Sequence, residues 1–242
     1  MQHCKLEITN PFGGPVLYKK HTGSTMNDAR NFYALDFPRG SVAAAGYQSS
    51  GRGRRPGRIW ESRAGQNLLF TLILGMNDEF KRSSLLPLGA GLGVCLCLER
   101  YFGITPELKW PNDVLVNRKK ISGILCERRK DVLYVGIGLN CGSGFSPGGI
   151  CLRELGHRDA PLDILPGLLA ELYSVFSMPP RKWLEPIRVR LHKQGEPVRL
   201  AFPDGRCAAG EFAGIDEDGG LLLKTSGDGT CQKYFNGELL DL

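Results

Sequence analysis

Residues 51–60 read GRGRRPGRIW, and residues 109–125 read KWPNDVLVNRKKISGIL. These two stretches carry side chains suited to handling an anion. Arg52, Arg54, Arg55 and Arg58 keep their charge at any working pH, and their forked donors match carboxylate and phosphate oxygens. Gly51, Gly53 and Gly57 leave the backbone open, so that amides can also face an oxyanion. Trp60 stands where a strand resumes and offers a ring for stacking. In the second stretch Pro111 fixes a turn, and Asn112 and Asp113 place an amide and a carboxylate beside it. Lys120 then opens a strand that Gly123 thins. Composition alone leaves three readings of the arginine run: a solvated basic loop, a clamp for an anionic ligand, or a nucleic-acid contact. No aromatic interleaving supports the last, and the run fits neither the P-loop nor the dinucleotide fingerprint. Taken singly, Lys119 and Lys120 read as solvent-facing, and Asp113 as a turn or cap residue.

The elements that would position these residues can be read from periodicity and caps. Residues 15–20 form a short strand, and Ser24 or Thr25 N-caps a helix running through Asp28. Residues 41–48 form a buried strand that feeds the arginine run. Residues 67–74, NLLFTLIL, are charge-free and rich in strand formers, which predicts a central strand. Within 83–100, Leu85, Leu88, Leu92 and Cys95 form a helical stripe, weakened by Gly89, Gly91 and Gly93. A hairpin is predicted to turn at Asn117-Arg118, and residues 132–140 form a strand whose Gly136 and Gly138 invite close backbone approach. Asp163 is expected to cap a helix over 163–176, with Leu165, Leu168, Leu169, Leu172, Val175 and Phe176 on one face. From about residue 194 the texture changes to short β-prone runs separated by Asp-Gly, Gly-Gly and Gly-Asp-Gly turns. The expected organisation is an α/β or α+β main domain over 1–193, with mixed strands and helices, followed by a small β-barrel over 194–242.

Composition narrows the classes. The 242 residues are 42% hydrophobic and 23% charged, as in a folded domain with a sizeable core. The net charge of +6 is mild and gathers at 52–58, 118–120, 128–130 and 181–193. A general nucleic-acid coat is more basic. The 8 cysteines form no C-x-x-C, and the 4 histidines do not join them at zinc spacing, which predicts reduced thiols in a cytoplasmic protein and no metal site. The N-terminus has no apolar signal core, and no apolar run is long enough for a membrane helix.

Five motifs recur together in order. GSTMNDA at 23–29, Gln48 with the arginine run, KWPNDV at 109–114, KISGIL at 120–125 and GIGLN at 136–140 resemble the biotin protein ligase family. The C-terminal pattern G-x-F-x-G-I-D-x-x-G-x-L resembles the small SH3-like domain of that family. The resemblance covers about residues 16–242. It implies an α+β biotin ligase catalytic fold, a mixed sheet with flanking helices related to class II aminoacyl-tRNA synthetases, in a short, enzyme-only form with no helix-turn-helix and no DNA partner. It implies activation of biotin by ATP with Mg²⁺ to biotinyl-5′-AMP. Transfer to a lysine of a biotin carboxyl carrier protein, as in acetyl-CoA carboxylase, would follow. It is compatible with a homodimer.

The family pattern assigns residues as follows. Ser24, Thr25, Met26 and Gln48 stand at the biotin pocket, with Gly123, Leu125, Gly136 and Gly138 forming walls. Gly51 and Arg52 meet the carboxylate and phosphate region, with Gly53 also at the biotin site; Arg54 helps close the loop over the bound adenylate, and Arg52 is catalytic. Trp60, Lys109, Asn112 and Asn140 lie on the nucleotide side. Lys120, rather than Lys119, bridges the biotin carboxylate and the α-phosphate. Asp113 orients or deprotonates the acceptor lysine. Two departures stand out: Pro56 adds a residue to the arginine run, and Met26 replaces an asparagine, so that contact is either lost or shifted by one to Asn27. A lipoate or octanoyl transferase shares the lysine hairpin but lacks the arginine run followed by tryptophan. A non-catalytic biotin sensor would have lost the arginines or Lys120.

Overall fold

The computed structural model describes residues 3–55, 57–77, 80, 84–142, 148–225 and 230–241. Pro56 and the Gly227-Asp228-Gly229 turn lie outside these residues, as does the first residue of the 83–100 stripe. The larger sheet is built from β1 (Cys4–Leu6), β2 (Val16–Lys19), β3 (Val42–Ala45), β4 (Asn67–Gly75), β5 (Glu107–Lys109), β6 (Asp113–Val116), β7 (Lys119–Arg129) and β8 (Val132–Asn140), in the order β1-β2-β3-β4-β8-β7-β6-β5. Only β2 and β3 pair in parallel, because helix α1 (Thr25–Ala34) carries the chain across between them. β4 is buried from Asn67 to Leu74 and lies inside the sheet, as its charge-free sequence requires.

Helix α1 covers one face of the sheet. Met26, Ala29 and Phe32 pack there with Leu17, Ala43 and Ile73. The other face is covered by α2 (Leu86–Phe102) and α3 (Pro161–Phe176), with the short α4 (Leu184–Arg188) beside them. The glycines that weaken α2 are there for contact. A Cβ on Gly89 would lie 2.6 Å from the Trp183 ring, and one on Gly93 would lie 2.7 Å from Leu172 Cδ2. α3 begins two residues before the expected cap. Ala160 is its N-cap and Pro161 its first residue, so Asp163 sits in the first turn. Proline wins that place because it needs no N–H partner and its φ is already helical. Ser24 does stand at the N-cap of α1, but its side chain makes no capping bond. The expected strand over 41–48 stops at Ala45, and Gln48 makes only an isolated bridge to Thr22. The β6–β7 hairpin turns at Asn117 and Arg118, both at positive φ (51° and 61°), the conformation a two-residue hairpin turn demands.

From residue 197 the strands pair among themselves. β9 (Pro197–Ala201), β10 (Cys207–Ile215), β11 (Leu221–Lys224), β12 (Cys231–Tyr234) and β13 (Glu238–Asp241) form an antiparallel sheet in the order β12-β11-β10-β9-β13. Its inner face, with Val198, Leu200, Phe212 and Leu223, joins the main hydrophobic core. Trp110 Nε1 donates to Gly219 O at 3.1 Å, and Ser84 N donates to Asp218 O at 3.0 Å, so the small sheet is seated on the large unit. The α+β class holds, with the mixed sheet and flanking helices as expected. All 8 cysteines are free. Among the described residues no helix is long and apolar enough to cross a membrane.

Candidate active site

Two cavities, of about 290 Å³ and about 70 Å³, lie side by side over β4, β7 and β8. They share Gly53, Arg54, Trp60, Asn112 and Lys120, so they form one cleft with a waist.

The smaller cavity is floored by Gly136, Ile137 and Gly138 of β8, and walled by Gly123, Ile124 and Leu125 of β7. Its far end is polar. The start of α1 presents Ser24, Thr25 and Met26, all buried. Gln48 Oε1 accepts from Thr25 N at 2.7 Å and from Thr25 Oγ1 at 3.0 Å. A backbone N–H can only donate, which fixes the orientation of the Gln48 amide. Thr71 Oγ1 on β4 then donates to Thr25 Oγ1 at 3.0 Å. The result is a small, mostly apolar pocket ending in a fixed hydrogen-bond network.

The larger cavity is lined by Arg54, Arg55, Arg58, Lys109 and Lys120, with Asp113 and Glu238 facing them. Lys120 Nζ lies 2.7 Å from Asp113 Oδ1 and 5.5 Å from the Trp60 ring centre. Both partners are partly exposed, at 40% and 24% for the side chains, so a solute can reach them. Asn112 and Asn140 brace this wall. Asn112 Nδ2 donates to Ile124 O at 2.8 Å, and Asn140 Nδ2 donates to Ile150 O at 3.1 Å. Asn140 Oδ1 accepts from Asn67 Nδ2 at 3.0 Å.

The arginine run is a small hairpin. Arg52 bridges Ile59, Gly53 N donates to Arg58 O at 2.8 Å, and Trp60 N donates to Gly51 O at 3.1 Å. Its base is held by Trp60, whose ring lies flat against the sheet backbone. A Cβ on Gly138 would come 2.4 Å from Trp60 Cε2, and one on Gly123 would come 2.7 Å from Cζ3. Gly138, read from sequence as inviting close backbone approach, and Gly123, read as thinning its strand, make room first for Trp60. The Trp60 Nε1 is buried without a hydrogen-bond partner among the described residues. Arg52 Nη2 donates to Asn27 Oδ1 at 2.9 Å. Arg54 donates to Gly237 O on the C-terminal unit. Desolvation there, and then the neighbouring Arg55, hold the Arg54 guanidinium below its ordinary pKa, while Asp113 and Glu238 oppose them. It remains a cation.

Most residues singled out by sequence converge here. Ser24, Thr25, Met26, Gln48, Arg52 and Gly53 line the smaller cavity, as do Gly123, Leu125, Gly136 and Gly138. Lys109, Asn112, Asp113 and Asn140 line the larger one. Gly51 lines neither and backs onto the Trp60 carbonyl, and Arg52 borders only the smaller cavity. Sequence reasoning missed Thr71, Ile124, Ile137 and Glu238. Thr71 had a signal, as the one hydroxyl in the apolar run 68–74. Glu238 had none.

The model of the biotin/lipoate A/B protein ligase family matches residues 14–143, and that of the biotin protein ligase C terminal domain matches residues 194–237. The chain belongs to the biotin/lipoate A/B protein ligase family. It is 33% identical over 137 residues to the bifunctional ligase/repressor BirA of Bacillus subtilis, a match covering 54% of this chain but only 42% of that relative. It is 30% identical to the biotin–acetyl-CoA-carboxylase ligase of Mycobacterium tuberculosis, covering 85% of this chain and 82% of the relative. The solved biotin protein ligase from Aquifex aeolicus in complex with biotin and ATP is 30% identical, with a TM-score of 0.80 over 93% of this chain and 97% of that one.

Proposed function

We propose that this chain is a biotin protein ligase that forms biotinyl-5′-AMP from biotin and ATP and passes the biotinyl group to a lysine of a biotin carboxyl carrier protein. One observation carries the reading: a small apolar pocket with a fixed polar end opens, through Lys120, Arg54 and Trp60, into a larger cavity lined by cations. Biotin would lie in the first with its head group at Thr25 and Gln48. ATP would lie in the second. The biotin carboxylate oxygen attacks the α-phosphorus, and pyrophosphate leaves with the electron pair of the broken P–O bond. Lys120, within reach of both anions at the waist, neutralises charge as the new bond forms, with Arg52 and Arg54 beside it.

In the second step the acceptor lysine nitrogen attacks the biotinyl carbonyl carbon, AMP departs, and the nitrogen loses a proton. Asp113 is the carboxylate at hand to orient that amine or take its proton once the ligand has drawn Lys120 away. Mg²⁺ would supply charge neutralisation on the phosphates. Among the described residues no three His, Cys, Asp or Glu side chains gather as a cage. The phosphates would supply most of the ion's ligands, as is common for Mg²⁺, and Asp113, which lines that cavity, is a carboxylate that could join them.

We place the division between catalytic and C-terminal units at 193/194. The decisive experiment is biotin-dependent exchange of pyrophosphate into ATP by the purified chain, followed by the mass shift of a biotin carrier domain. Exchange with lipoate but not biotin would overturn the assignment.

A further inference from the structure

One carboxylate faces the larger cavity from the C-terminal sheet. Glu238 opens β13, and its Oε2 lies 2.9 Å from Arg55 Nη1 and 3.8 Å from Arg58 Nη2. Arg55 Nη2 also donates to Ala201 O at 3.1 Å, and Arg54 donates to Gly237 O. Ala201 and Glu238 are partners across β9 and β13. Three of the hairpin's arginines therefore converge on one spot of the small sheet. The Arg55–Glu238 pair is partly buried, at 25% and 34% for the side chains. It lines the same cavity as Lys109 and Lys120.

This pair repeats what Asp113 does for Lys120: an internal carboxylate sits on a cationic group that faces the cavity. A polyphosphate carries more charge and more oxygens than one carboxylate, and guanidinium forks match its geometry at least as well. It would compete directly for Arg55 and Arg58.

We infer that Glu238 is a positioning residue, an internal counter-anion that docks Arg55 and Arg58 on the C-terminal sheet until the phosphates of the nucleotide displace it. The inference rests on the larger cavity being the nucleotide site, and it gives the C-terminal sheet control over the arginine hairpin. Phosphate binding hands the two arginines to the ligand and breaks their ion pairs with Glu238.

The test is calorimetric titration of the full chain with inorganic pyrophosphate, biotin absent. Glu238→Gln keeps the shape and removes the charge. It should bind pyrophosphate about two- to fivefold more tightly than wild type, the scale of releasing one partly exposed ion pair. The gain should vanish when Arg55→Gln is added. In the exchange assay the KM for ATP should fall in parallel while the KM for biotin stays constant, a split that general loosening would not produce. Glu238→Ser on this edge strand should show the same gain, and serves if the glutamine variant folds poorly. Unchanged or weaker pyrophosphate binding in the folded variants refutes the inference, as does no measurable binding in wild type and variants alike. Failure of wild type to exchange with biotin would refute the ligase reading instead, and the titration would still decide the role of Glu238.

Discussion

Gly138→Ala should uncouple the site while leaving the fold standing. The new Cβ would lie 2.4 Å from Trp60 Cε2, 2.6 Å from Cζ2 and 2.9 Å from Nε1. Ordinary contact begins near 3.4 Å, so the ring must retreat by about 1 Å (3.4 − 2.4). β8 cannot yield easily, because it is paired on both sides, with β4 and β7. Overpacking of this kind costs about 1–3 kcal/mol, a fall of roughly 2–10 °C in melting temperature for a chain of this size. Activity should suffer more. Trp60 walls both cavities, and a 1 Å error in a positioning group costs about 10²-fold in rate. Pyrophosphate exchange and a thermal melt measure the two effects. The control is the same change made in Trp60→Leu. With the ring gone, the added stability cost should drop below about 0.5 kcal/mol, since the two mutations share the contact. An equal cost in both backgrounds, or full exchange activity in Gly138→Ala alone, would refute the account of Trp60 seated on the glycines.

Lys120→Ala should cut biotin-dependent exchange by at least about 10²-fold, because a fixed cation at the developing charge is lost. Its pair with Asp113 is partly exposed, so unfolding should shift by less than about 1 kcal/mol, and near-normal exchange would remove Lys120 from the mechanism. Thiol reagents at pH 8 should label Cys4, Cys207 and Cys231, which are exposed, and spare Cys95, Cys97 and Cys141, which are buried. Burial pushes the Cys97 and Cys141 thiols up to about 12. The unfolded chain loses those protons near pH 9, so stability is full below that pH and declines as pH rises towards 12, by at most about 1.4 kcal/mol per thiol per pH unit. Urea midpoints that are equal at pH 8 and pH 10.5 would contradict this.

The parts of the fold that were legible in sequence are those fixed by local physics. Asn117 and Arg118 adopt the positive φ of a tight hairpin, and the charge-free run at 67–74 is the buried β4. Choosing Lys120 over Lys119 depended on spacing to Ser122-Gly123. In the structure a bulge lies between Val114 and Leu115, Lys120 borders both cavities and Lys119 is exposed. Where two local rules competed, the weaker was chosen, since Pro161 rather than Asp163 starts α3. What stayed hidden depends on contacts distant in sequence. Nothing around Gly138 says that Trp60 will lie on it, and nothing around Glu238 says that Arg55 will reach it.

Those two distant contacts imply that the arginine hairpin answers to two ligands separately. Its base is tied to the large sheet through Trp60 on Gly123 and Gly138, next to the smaller cavity. Its tip is tied to the small sheet through Arg55 and Glu238, beside the larger one. Gly57, between Arg55 and Arg58, holds a φ of 80°, a conformation that glycine adopts without strain. A ligand in the smaller cavity meets Arg52, Arg54 and Trp60 and leaves the Arg55–Glu238 pair in place. A polyphosphate must break it. A hairpin anchored at only one end would close over either ligand alike. This one is built so that the polyphosphate, and not the apolar ligand, breaks its ion pairs with Glu238 of the C-terminal sheet.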